Sequence, residues 1–238
     1  MSRPKNIVRA SVTIRGTRPL LQHAFTEACI PLEKAEREGV AGNDPGEWKK
    51  TCMVTEDGQL HITDANVFGC LVWAAKYTKK GRGTIQPLVA ATLQVEESVI
   101  LLNRRMPKQG DPPRDRKAPV YIDVCGVKNP ATKARNIRYR LAASAGWECS
   151  FTIRWDKTVV GRQQMQAVLN DASNLVGLCD GRGIGNGRFE VISFEVEDDA
   201  EEATTAGSVE GLATDRVAAG RKKVRPVQDA AVVDGVSR

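Results

Sequence analysis

Val8, Ala10, Val12 and Ile14 alternate with Arg9, Ser11, Thr13 and Arg15, and this period of two predicts a half-buried strand over Ile7–Gly16. A short apolar run, "TRPLLQHAF", follows, and then "EREGVAGNDPGEWKK", whose Gly, Pro and charge read as a loop. The stretch "HITDANVFGCLVWAAKYTKKG" predicts a helix. Asp64 caps it, Val67, Leu71 and Ala74 share a face, lysines fill its last turn and Gly81 stops it. "AATLQVEESVILL" reads as a strand pair or one bent strand, and Asn103 to Pro119 as irregular chain. Three more strand-like runs come next: "VYIDVC", "NIRYRLAA" and "WECSFTIRW". Gly161 to Val176 predicts a second helix, with Met165, Val168, Leu169, Ala172 and Leu175 on one face, and "GRFEVISFEV" a last strand.

Stripped of insertions, that order predicts an α+β chain with a ferredoxin-like βαββαβ core. Such a core packs its helices on one face of an antiparallel sheet. Its open face is the surface that RRM-type modules offer to single-stranded nucleic acid. The expected domain spans residues 1–196, with an insertion at about 103–140, and residues 197–238 form a tail. From Glu195 onward the chain carries ten acidic and six basic residues and no aromatic, which predicts disorder.

Charge sharpens the picture. The whole chain of 238 residues has a net charge of +6, and taking out the acidic tail leaves the folded part more basic still. Asn103 to Arg140 holds eleven Lys or Arg against three Asp. In "KARNIRYR" Arg138 and Arg140 fall on one strand face with Tyr139 opposite. Arg104, Arg105, Lys133, Arg135 and Arg138 are therefore candidate phosphate contacts, whose affinity falls steeply with salt. Aromatic residues are only 5% of the chain, which favours backbone contacts over extensive stacking.

Between the second helix and the last strand runs "GLCDGRGIGNGRFEV", with glycine at 177, 181, 183, 185 and 187. No Gly-Lys-Ser/Thr follows, as a P-loop needs, and the loop leads from helix to strand, the reverse of a Rossmann turn. Freed amides at Gly183, Gly185 and Gly187, flanked by Arg182 and Arg188, suit a phosphate. A glycine-rich loop at this place in a ferredoxin-like chain resembles the signature of the RAMP superfamily, with Cys179 where that signature has its second glycine. "TIRGTRPLL", "DANVFGCLVWAAKY" and "VGLCDGRGIGNGRFEV" also resemble phage and prophage proteins of the same pattern. The layout over roughly Ile7 to Val196 is most similar to the backbone subunits of CRISPR effectors. The resemblance implies RNA binding without catalysis, a thumb-like basic insertion crossing the guide strand, and copies assembled head to tail along guide RNA into a filament or multi-subunit complex.

An alternative is a phage protein that coats single-stranded DNA during recombination; another is a metal-independent endoribonuclease using His23. A third is a structural protein in which charge and glycines serve assembly. His23 and His61 are the two histidines, and both read as structural. The acidic loop residues show no metal-ligand spacing, so no metal or cofactor is expected. The six cysteines contain no CxxC and several sit in apolar runs, as free thiols of a reducing compartment do. The N-terminal "MSRPKNIVRASV" lacks an apolar signal core, and no run reaches membrane-spanning length, so a cytoplasmic protein is expected.

Overall fold

A computed structural model describes residues 6–26, 29, 44–128, 131 and 133–197. All fall in one unit, Met1–Asp199; a second, Ala200–Arg238, lies outside the described residues, and most of the expected tail with it, but Glu195 and Val196 belong to the last strand and the Glu197 amide donates to the Arg9 carbonyl at 2.9 Å. In chain order the elements are β1 (Ile7–Gly16), β2 (Leu20–Gln22), α1 (Glu47–Thr51), β3 (Gln59–Thr63), α2 (Asp64–Ala74), β4 (Lys79–Lys80) and β5 (Gly83–Thr84). Then come α3 (Gln86–Thr92), β6 (Gln94–Val95), β7 (Val99–Arg105), β8 (Val120–Lys128), β9 (Arg135–Ala143), β10 (Glu148–Asp156), α4 (Arg162–Asp171) and β11 (Phe189–Val196). The chain is mixed α and β, with antiparallel sheets throughout.

The alternation of β1 is realised. Ala10, Val12 and Ile14 are fully buried on one face of the sheet β11-β1-β10-β6. That sheet runs Ile7 opposite Asp156 on one side of β1 and Gly16 opposite Phe189 on the other. Met165, Val168 and Leu169 of α4 and Val67, Cys70, Leu71 and Ala74 of α2 belong to the same core. Trp147 and Trp155 are fully buried, and each indole N–H is satisfied at 2.9 Å, by the carbonyls of Arg18 and Val160. A second sheet, β2-β9-β8, and a pair, β3-β7, complete the layout.

Several local expectations are corrected. Thr63, not Asp64, is the N-cap of α2; its amide donates to Asn66 Oδ1 at 3.0 Å. The helix ends at Ala74, so the following lysines do not fill its last turn. Lys79 and Lys80 form a hairpin with β5, and Gly81, at φ +59°, sits in its turn. "QPLVAAT" is helical, with Pro87 in the first turn, so only part of the expected strand pair survives as β6 and β7. The second helix changes to a π turn at 172–176, closed by the Gly177 amide on the Ala172 carbonyl at 2.8 Å. The wider turn rotates Leu175 off the buried stripe, and it is exposed.

The open face of the main sheet is not a free basic surface. Arg9 pairs with Glu96 and Glu197, Arg15 with Glu148 and Glu190, and Arg154 with Glu96. Thr13 and Ser150 share a hydroxyl hydrogen bond between them at 2.9 Å. The face is neutralised by its own carboxylates, and the rings Phe194 and Trp155 stack on the opposite, core-facing side. An RRM-like stacking surface is absent there among the described residues.

Candidate nucleic-acid interface

The glycine loop is built by closing on itself. The Leu178 amide donates to the Gly187 carbonyl at 2.9 Å, the Gly187 amide to Pro19 at 2.7 Å and the Asp180 amide to Leu21 at 3.0 Å. Gly187 has φ +71°, and a Cβ there would lie 2.0 Å from the Leu178 carbonyl oxygen. Gly177, at φ +81°, would put a Cβ 2.8 Å from the Asn186 carbonyl oxygen. These two glycines answer to close approach of the chain to itself. Cys179 also has a left-handed φ, +56°, a conformation that favours glycine. Gly183 differs: it is exposed in the 3₁₀ turn 182–184, and its Cβ position meets nothing within 4 Å.

That turn holds Arg182 at the rim of a polar cleft of about 280 Å³. His23, Met53, Ala65, Asn66, Gly69, Cys179 and Asp180 line it too. Ala65 and Gly69 are four apart on α2, so two small side chains leave one face of the helix open opposite the loop. Asp180 is the one carboxylate among the lining residues, and Arg140 neutralises it at 2.7 Å. Arg182 is exposed, and no carboxylate among the described residues pairs with it. Arg182 therefore brings a positive charge to the cleft without a carboxylate partner, while Asp64 in the first turn of α2 offsets the positive end of that helix's dipole.

His23 lies on the other wall, with Nε2 3.1 Å from Glu47 Oε1. Glu47 also accepts from the Arg138 guanidinium and, at 3.1 Å, from the Tyr139 amide. Burial pushes this carboxyl up. The hydrogen bonds from His23, Tyr139 and Arg138, with the Arg138 charge, outweigh it and hold the group below the usual carboxylate range. Burial pushes the Cys70 and Cys149 thiols up to about 12, and raises Cys179 as well. All six cysteines are free thiols. Among the described residues no cluster of three His, Cys, Asp or Glu is placed to hold a metal ion, and no helix is long and apolar enough to cross a membrane.

The sequence candidates separate into groups. Arg182 lines the cleft; Gly183 is its neighbour in the 3₁₀ turn but does not line the cleft, and Gly185 and Gly187 follow in the chain. Lys133 and Arg135 are exposed at the far end of the β8–β9 hairpin, where Arg135 lies directly opposite Lys128. Arg138 is part-buried against Glu47, and Arg105 pairs with Asp57 at 3.0 Å. Arg104 is half-buried and donates to Asn103 Oδ1 at 3.0 Å. Arg188 is half-buried, with Nη1 enclosed and without a hydrogen-bond partner. The side chains of Arg138 and Arg140 share a face, as expected, but both are spent on internal carboxylates. Sequence reasoning missed Asn66, Ala65 and Gly69. The signal for them was the pair of small residues four apart in an otherwise bulky helix.

No family model matches the chain, and no curated protein matches it. Among solved structures, the chain is similar to one in the cryo-EM structure of the Type III-B Cmr-beta bound to cognate target RNA. The identity is 12% and the TM-score 0.47, over 80% of this chain. It spans 61% of the length of that chain.

Proposed function

We propose that this protein binds single-stranded nucleic acid, without cutting it, on a ferredoxin-like core of RAMP type. The strand order β11-β1-β10-β6, all antiparallel, supports the core, with helices between β1 and β6 and between β10 and β11. The observation that carries the binding reading is the cleft where Arg182, which pairs with no carboxylate among the described residues, stands across from Ala65, Asn66 and Gly69 of α2. A flat base fits over Ala65 and Gly69, while a phosphate reaches Arg182. In this reading His23, whose Nε2 lies 3.1 Å from Glu47 Oε1, is part of the wall, and Glu47 is itself tied to β9.

The hairpin end supplies a second contact. Lys128 opposite Arg135 is a like-charge cross-strand pair, which costs stability in the free protein. A polyanion offsets that cost, with exposed Val127 and Ile137 beside the two cations. Replacing Lys128 and Arg135 by Ala removes two phosphate contacts. The slope of log affinity against log salt for a 12-nucleotide RNA then becomes shallower by about 1.4, and the oligonucleotide is recovered uncut. Fluorescence anisotropy across a salt series reads this directly, and an unchanged slope refutes the hairpin contact. Parallel titrations with single-stranded DNA and duplex DNA rank the ligands. Preference for RNA supports the guide-strand reading, and preference for single-stranded DNA the recombination reading.

A further inference from the structure

The outer face of α2 carries a feature that neither the cleft nor the hairpin uses. Trp73 is 54% exposed and Tyr77 44%, although the other tryptophans, Trp48, Trp147 and Trp155, are buried. The Lys76 ammonium lies 4.1 Å from the Trp73 ring centre and 4.9 Å from that of Tyr77. Two exposed rings thus hold the protein's own cation as a place-keeper. Two residues beyond Tyr77 begins the exposed hairpin with Lys79, Lys80 and Arg82. Among the described residues no carboxylate pairs with these three or with Lys76. One carboxylate stands close by: Asp171, which accepts from the Thr78 hydroxyl at 3.4 Å.

We propose that Trp73 and Tyr77 form a stacking platform for a base of a single-stranded nucleic acid, with Lys76, Lys79, Lys80 and Arg82 taking its phosphates. Charge decides the occupant. Aromatic pairs around a cation also suit a cationic partner, but four cations without a carboxylate partner among the described residues, one of them Lys80 on the Val159 carbonyl at 3.3 Å, repel one and attract a polyanion. Flat faces next to phosphates are the chemistry of an unpaired base. Geometry joins the platform to the cleft. Ala65, Gly69 and Trp73 are spaced by four along α2 and all three are exposed, so they form one stripe. It rises about 12 Å from Ala65 to Trp73, the reach of about two nucleotides. The platform deepens the binding reading above and rests on it for the path of the strand.

The test is a titration of the full chain with a 12-nucleotide oligouridylate, read by anisotropy of a labelled strand and by intrinsic tryptophan emission. Trp73 is the exposed tryptophan, so stacking quenches its emission. The quench is expected in wild type and absent in Trp73→Leu, which binds about tenfold more weakly. Because Trp73 is exposed, that variant keeps its fold, which its unfolding midpoint checks. Binding without quenching, and with Trp73→Leu equal to wild type, overturns the platform and leaves the cleft reading intact. Quenching that survives in Arg182→Ala at wild-type affinity upholds the platform and overturns the cleft. No binding by wild type overturns both.

Discussion

Gly187→Ala is expected to destabilise the folded domain by about 4 kcal/mol or more, and Gly183→Ala to leave stability within about 0.5 kcal/mol of wild type. Both positions look alike in "GRGIGNGRF", yet their surroundings differ. At Gly187 a methyl group would lie 2.0 Å from the Leu178 carbonyl oxygen and 2.8 Å from its nitrogen, in a backbone of positive φ. The methyl must break the Leu178–Gly187 hydrogen bond that closes the loop, and the alanine must adopt a left-handed conformation besides. At Gly183 no atom lies within 4 Å of the new methyl. Urea unfolding of the two variants checks the pair. Equal midpoints for both would show that the loop is not closed by backbone contact.

Glu47→Ala has the second largest expected effect, a loss of about 3 kcal/mol or more. It strips one acceptor from the Arg138 guanidinium, the Tyr139 amide and His23 together, and leaves a part-buried positive charge without its partner. The same network has a pH signature. The carboxyl is held below its usual range when folded, so it contributes stability that is fully present above the unfolded value of about 4.3. That contribution is lost as the pH falls through the folded value. Glu47→Gln lacks it, so its unfolding midpoint changes less than that of wild type between about pH 5 and pH 3. Parallel acid-dependence in both proteins would mean that Glu47 is not ionically engaged.

Strands with alternating or densely apolar sequence were legible from the chain. β1, β8, β9, β10 and β11 were marked by alternation or dense apolar runs, and the stripe of α2 by its spacing. What escaped were features set by partners distant in sequence. Glu47 meets Arg138 across 91 positions, so the arginine looked available for phosphate when it was already engaged. The neutral open face depends in the same way on carboxylates of β6's flank, β10 and β11 meeting arginines of β1 and β10. α3 was hidden because "QPLVAAT" is short and as apolar as a strand. The glycine cluster announced a tight loop, but whether its glycines faced a ligand or the chain itself depended on contacts that residue types do not encode. Arg182 could be singled out as a candidate because its charge flanks those glycines. The α2 side of the cleft was not, since Asn66 and Gly69 carry no charge.

In the proposed cleft Arg182 acts on a ligand rather than on the protein. Binding of a 12-nucleotide single-stranded RNA to wild type and to Arg182→Ala, at matched salt and with unfolding midpoints recorded, tests this most directly. The expected result is a loss of about tenfold in affinity with stability unchanged, as removal of one charged hydrogen-bonding contact gives. Equal affinity in the two proteins would contradict it, and the cleft between the glycine loop and α2 would then not be where the strand lies.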